Sequence, residues 1–268
     1  MPRTGQLAVV TGASAGIGAA FVRALAARGH DVALVARRRD RMEALAEEMR
    51  RAHGVEALVI PADLSIAEAH VPIVAALKEQ GREADILVNN AGFSLPKTFA
   101  ATPWDQQRDF IMTLVTAVAG LTHAVLPGML ARGRGSIINV GSVAGLSPGA
   151  AGHTLYPAAK SFVMKFTLSL DAEVRQKGVR VTCVMPGPTE SEFTAVNGTK
   201  EIMAKSPRLL NMTAERVVEL ALKANDKGEP LCIPGLHNKI GAGLMKYLPD
   251  GLVTALIRGA SDRYRVRD

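Results

Sequence analysis

The chain has 268 residues, 48% of them hydrophobic, 21% charged and only 4% aromatic, with a formal net charge of +7. That length suits one large α/β domain or two small ones, and the balance excludes whole-chain disorder, collagen and coiled coil. Cys183 and Cys232 stand far apart and the six histidines are scattered, so no disulfide framework and no metal site are expected, and the redox compartment reads as cytoplasmic.

Taken from the N-terminus, the chain enters a glycine-rich turn at Thr11, which leaves no room for a signal peptide, and no apolar run approaches the length of a membrane span. Arginines are spread over several segments without aromatic platforms, so neither nucleic acid nor a membrane is an expected partner. Apolar runs of strand length start at Leu7, Asp31, Glu56, Asp85, Gly135, Val179 and Pro230, separated by stretches of helical period. Continuous apolar strands alternating with helices predict an α/β fold, a doubly wound parallel sheet of about seven strands with helices on both faces.

Three helix starts carry cap signals: Asp40 with Glu43, Ser65 with Glu68, and Thr102-Pro103-Trp104-Asp105. In the first of these helices Met42, Leu45 and Met49 make one apolar stripe, and Gly54 stops it. Without a linker or composition shift, residues 1–235 read as one dinucleotide-binding and catalytic domain, and 236–268 as its C-terminal helical appendage. Leu244, Leu248, Leu252, Leu256 and Ile257 give that appendage short apolar faces flanked by Lys239, Lys246 and Arg258, suited to packing within the chain or against a second subunit.

Directly after the first strand comes TGASAGIG, Thr11 to Gly18, leading into a helical period. Gly12, Gly16 and Gly18 permit a sharp turn and close approach of backbone to a pyrophosphate, with the N–H groups around Ser14 and Ile17 and the helix dipole favouring the anion. The residue closing the second strand chooses between cofactors: an acid holds a ribose 2'-hydroxyl, an arginine a 2'-phosphate. Here Arg37, Arg38 and Arg39 follow Ala36, which favours NADP (NADPH) over NAD, unless the run is only a solvated charged face.

Further on stand Asn89-Asn90-Ala91-Gly92, then Ser142, then Tyr156-Pro-Ala-Ala-Lys160. At helical spacing Lys160 lies one turn beyond Tyr156, and an ammonium about 4 Å from the phenol oxygen would lower a pKa near 10 toward neutrality.

Together these motifs resemble the short-chain dehydrogenase/reductase family over about residues 5 to 235. The resemblance implies a Rossmann-type sheet, a nicotinamide cofactor, and a small-molecule carbonyl or alcohol substrate in a homo-oligomeric enzyme. It implies Tyr156 as proton donor to the substrate carbonyl, Ser142 as its hydrogen-bond partner, and Lys160 as holder of the nicotinamide ribose. It also maps Asp63 and Leu64 to the adenine, Asn90 to the adenine ribose, and Pro186, Gly187 and Thr189 to the nicotinamide amide and diphosphate. Plainer readings stand beside these: Asp63 caps the turn before Ser65, Asn90 props the central strands, and Thr189 is a turn residue. The resemblance fails at Leu114, where the family usually carries an asparagine supporting a proton relay. A relay would then be weakened or run through Thr113 or Thr116 with water. His153 and an amphipathic segment from Thr189 to Asn211 are further candidates for substrate contact. The reading is an NADP(H)-dependent oxidoreductase acting on a fairly apolar molecule; the alternatives are an NAD-dependent enzyme or a non-catalytic nucleotide-binding regulator on the same fold.

Overall fold

All seven apolar runs become strands of one parallel sheet. These are β1 (Leu7–Thr11), β2 (Asp31–Ala36), β3 (Ala57–Pro61), β4 (Ile86–Asn89), β5 (Gly135–Val140), β6 (Val179–Val184) and, after two short strands, β9 (Leu231–Cys232). The computed structural model describes residues 3–95, 97–149, 154–190, 211–249 and 251–254. The strand order is β3-β2-β1-β4-β5-β6-β9, the doubly wound Rossmann-type order in which the chain reverses direction of growth between β1 and β4. The two short strands, β7 (Thr189–Glu190) and β8 (Met212–Thr213), pair apart from this sheet and are too short to show as apolar runs.

Alternation along each strand feeds two cores, as the period of two requires. Ala8 and Val10 of β1 face Phe21 and Leu25 of α1 (Gly16–Ala27), Met42 and Met49 of α2 (Arg39–His53), and Val217 and Val218 of α7 (Ala214–Asp226). Leu7 and Val9 face Ile73 and Leu77 of α3 (His70–Glu79), Leu121 and Met129 of α5 (Ala117–Ala131), and Leu170 and Val174 of α6 (Leu155–Val174). On this second face a buried polar ladder ties the helices to the strands. Asn89 donates to Asn139 Oδ1 at 2.8 Å and to Thr122 Oγ1 at 3.2 Å, while Asn139 donates to Thr167 Oγ1 at 2.9 Å. Connected hydrogen bonds of this kind in a low-dielectric interior fix one register rather than several.

The helix caps differ from expectation. Neither Asp40 nor Thr102 caps a helix: Arg38 is the N-cap of α2 with Asp40 inside its first turn, and Pro103 precedes α4 (Trp104–Ile111). Thr102 Oγ1 instead donates to the Thr98 carbonyl at 2.8 Å. The Ser65 signal fails because Asp63 claims it: Asp63 Oδ1 accepts from Ser65 N at 3.0 Å and Ser65 Oγ at 2.8 Å. The chain then turns through Glu68 at φ 60°, so α3 starts only at His70. Gly54 does end α2, in the left-handed region at φ 66°.

A second correction concerns helix length. α4, a π-helical stretch (Met112–Thr116) and α5 run on as 28 residues, Trp104–Ala131, long and apolar enough by composition to cross a membrane. Phe110, Leu114, Leu121 and Met129 of this run are fully buried, as in the core helix of a folded domain. At the far end, α8 (Leu236–Tyr247) turns Asn238 and Ala242 inward and leaves Leu236, Ile240, Leu244 and Tyr247 exposed. Its packing within the chain thus uses small and polar residues, the reverse of the expected apolar contact; Leu256, Ile257 and Arg258 lie outside the described residues.

Candidate active site

Thr11, Asn89 and Val140 end three neighbouring strands, and the turns beyond them gather the motif residues at the reversal point of the sheet. In open α/β sheets this crevice at the carboxyl ends of the strands is where ligands bind.

The glycine turn is built by exclusion. Gly12 has φ 64°, and a side chain there would place Cβ 2.7 Å from Asn90 Nδ2; a Cβ on Gly18 would stand 2.2 Å from the Gly12 carbonyl oxygen. Asn90 holds this turn from β4, its Nδ2 donating to Thr11 O at 2.9 Å and its backbone N–H to Thr11 Oγ1 at 2.9 Å. No side chain caps α1 and no acid sits in its first turn. The helix therefore presents its N–H groups and positive dipole end to an anion, as a dinucleotide pyrophosphate requires. Across this turn Arg38 reaches Ser14, Nη2 donating to Oγ at 3.0 Å and Nε at 3.2 Å. Arg37 is exposed, with its charge felt at Asp63. Burial pushes the Asp63 carboxyl up, but the Ser65 hydrogen bonds and Arg37 outweigh it and hold the group below the usual carboxylate range. Leu64 beside it is buried.

Ser142 follows β5 in extended backbone (φ −167°) and caps a 3-10 turn (Val143–Leu146), its Oγ accepting from Ala144 N at 3.2 Å. Tyr156 is the second residue of α6 and lies beside Ser142, which acts on its phenol. Lys160, one turn on, is 6% exposed, donates to the Val140 carbonyl at 2.8 Å and stands 5.8 Å from the Tyr156 ring centroid. The three side chains are thus together, but their electrostatics depart from expectation. Burial raises the Tyr156 phenol above the ordinary tyrosine value, offset in part by Ser142, with no lowering from Lys160. The ammonium is spent on Val140 instead, and burial brings Lys160 itself down to about 8.

One residue that sequence reasoning passed over makes the approach possible. Gly145 in the 3-10 turn lies so close to α6 that a Cβ would stand 2.7 Å from the Lys160 carbonyl carbon. The opposite wall is apolar: Phe93 and Phe110 meet edge to face at 5.5 Å, and Phe110 tilts toward Tyr156 at 6.5 Å. Leu114, 1% exposed, packs in this cluster and over Gly92. Of the two threonines considered for a relay, Thr113 is buried and Thr116 exposed. Pro186 O accepts from Val143 N at 3.1 Å, and Thr189 Oγ1 donates to Gly187 O at 3.0 Å, so Thr189 closes the turn after β6. His153 and residues 191–210 lie outside the described residues.

The family model for short chain dehydrogenase matches residues 6–202. The very-long-chain 3-oxoacyl-CoA reductase of Anas platyrhynchos is 41% identical over 99% of this chain and 83% of that protein. The NADP-dependent 3-hydroxy acid dehydrogenase of Salmonella typhi is 38% identical over 71% of this chain and 76% of that protein. A solved short-chain dehydrogenase from Sphingobium yanoikuyae in complex with NADPH superposes with a TM-score of 0.79 at 32% identity, covering 91% of this chain and 96% of that one. A glycine turn, a reversal-point crevice and a Ser-Tyr-Lys cluster on a sheet of this order meet matches that span most of the sequence, and the chain is an oxidoreductase of the short-chain dehydrogenase/reductase family.

Proposed function

We propose that the chain is an NADP(H)-dependent oxidoreductase interconverting a carbonyl and a secondary alcohol on a fairly apolar small molecule. The observation that carries this reading is the pairing of Ser142 and Tyr156 with Lys160 one turn below, beside a glycine turn that Arg38 spans to Ser14. NADPH, when bound, supplies the hydride.

The chain's own residues handle the proton. Ser142 Oγ already accepts from Ala144 N, so its hydroxyl hydrogen is free to point at the Tyr156 oxygen. A donor to that oxygen favours the phenolate, in line with the lowering influence of Ser142 on the phenol. In this reading the Tyr156 O–H donates to a substrate carbonyl. Lys160 has three N–H donors and uses one on Val140. The other two are available to the hydroxyls of the nicotinamide ribose. Arg37 and Arg38 flank the place of a 2'-phosphate, where Ser14 holds the Arg38 fork in position. The NADP-dependent relative and the NADPH-bound neighbour support the same cofactor. Leu95, Phe99, Phe110 and Leu155 around Tyr156 support an apolar substrate.

The test has two arms. Binding titrations should give at least tenfold tighter binding of NADPH than NADH, about 1.4 kcal/mol, and Arg37→Asp should reverse the order; preference of the unaltered protein for NADH overturns the cofactor assignment. With a panel of ketones followed by NADPH absorbance, Tyr156→Phe should lose nearly all turnover while NADPH binding persists. Retention of a tenth of the activity removes Tyr156 from its role.

A further inference from the structure

Beside Tyr156 the surface folds into a small cavity lined by Leu95, Phe99, Phe110 and Leu155, with Gln107 in its wall. Gln107 is 4% exposed and sits in the first turns of α4. Its amide orientation is fixed by two acceptors: Nε2 donates to Phe99 O at 2.9 Å and to Thr102 O at 2.7 Å. With both amide hydrogens committed to carbonyls, the other end of the group is an acceptor that cannot turn into a donor. That atom, Oε1, is buried and has no hydrogen-bond partner among the described residues. A buried acceptor without a partner is costly, so a partner supplied by a ligand gains what the described residues lack. Thr102 cannot serve, because its hydroxyl already donates to Thr98 O.

We propose that Gln107 is a specificity residue: its Oε1 accepts a hydrogen bond from a hydroxyl or amide N–H carried by a carbonyl substrate whose reacting oxygen lies at Tyr156. The proposal rests on the functional reading above and narrows it. The favoured substrates are carbonyl compounds with an apolar body and a hydrogen-bond donor near the carbonyl. A purely apolar ketone, or one bearing only ether and ester oxygens, leaves Oε1 unpaired and is turned over less well. Sites that hydrogen-bond a substrate group discriminate strongly against analogues lacking it, because the buried partner is then stranded.

N-benzyl acetoacetamide and benzyl acetoacetate form the probe pair, since they differ by one N–H in place of one oxygen. Rates of NADPH consumption are measured for both with the unaltered enzyme, Gln107→Met and Gln107→Lys. Lysine keeps donors for the Phe99 and Thr102 carbonyls but has no acceptor, so it separates substrate contact from support of the 99–102 segment. We expect the unaltered enzyme to favour the amide about tenfold in kcat/KM, mainly through KM, and both variants to bring the ratio near one. A weakened fold lowers both rates together and leaves the ratio standing. An equal preference in the unaltered enzyme, or a ratio that survives in both variants, overturns the role of Gln107 while leaving the proposed activity intact. If other ketones are reduced and neither probe is, the assigned substrate class is wrong; if no carbonyl in the panel is reduced, the proposed function falls with it.

Discussion

Lys160 carries a conflict between stability and chemistry. It sits 6% exposed among buried groups, and burial lowers it from 10.5 to about 8. Below pH 8 the folded and unfolded chains both hold the proton, and the folded state bears the full cost of a buried charge, on the order of 3 kcal/mol. Between about 8 and about 10.4 the unfolded chain keeps a proton the folded chain has shed, so stability rises with pH through that window. Lys160→Met should therefore abolish turnover yet stabilise the protein at pH 7 by about 2 kcal/mol, after allowing about 1 kcal/mol for the Val140 carbonyl that loses its donor. By urea unfolding, the gap between variant and parent should shrink by about 2 kcal/mol at pH 9.5. An unchanged gap would mean that Lys160 does not titrate there. Cys183, whose thiol burial pushes up to about 12, stays neutral in the folded state and ionises on unfolding in parent and variant alike, so its contribution cancels from the gap.

At the scale of elements, the departure at Leu114 is embedded in the π-helical stretch between α4 and α5. Leu114 is packed with Phe110 and Ala159, with Phe93 and Leu95 close by. An amide placed there meets carbon on these sides. Leu114→Asn should cost at least about 2 kcal/mol, from lost apolar contact and an unpaired polar group together, and should not raise turnover. Melting temperature and turnover with one good ketone check this; faster turnover would show that water reaches the position and that the relay is only weakened. Elements of this kind divide by how legible they are. The seven strands can be read because both faces are buried and the runs are continuously apolar, from Leu7–Thr11 to Val179–Val184. The caps cannot, because a short side chain has several local partners: Ser65 answers to Asp63, and Thr102 to Thr98. The Ser142, Tyr156 and Lys160 cluster is legible because strand end and helix pitch fix its spacing. Arg38 at Ser14 and Gln107 at the carbonyls of Phe99 and Thr102 are not, since their partners are set by loop paths that leave no period in the sequence.

On the scale of the whole molecule, the C-terminal helix reaches the site along the 3-10 turn after Ser142 and through one tight contact beside it. Gly187, in the turn after β6, lies against Asn238 of α8: a Cβ at Gly187 would stand 2.1 Å from Asn238 Oδ1. Asn238 is itself anchored, its Nδ2 donating to Pro234 O at 2.7 Å. The turn that follows Pro186 and the seating of α8 are therefore one arrangement, coupling the appendage to the place where the nicotinamide end of the cofactor is proposed to lie. Gly187→Ala should push the Asn238 amide off Pro234 and cost about 1 to 3 kcal/mol, as overpacking of a filled site does. Asn238→Ala alone should cost about 1 kcal/mol for the lost hydrogen bond. Combined, the two should be more stable than Gly187→Ala by itself, because the smaller side chain makes room for the added methyl, giving a coupling of at least about 1 kcal/mol opposite in sign to the single losses. NADPH affinity should follow the same cycle, weakened in Gly187→Ala and recovered in the double variant. Should unfolding energies and affinities instead add independently, the contact between Gly187 and Asn238 does not seat α8, and the helix is held to the domain by its remaining contacts alone.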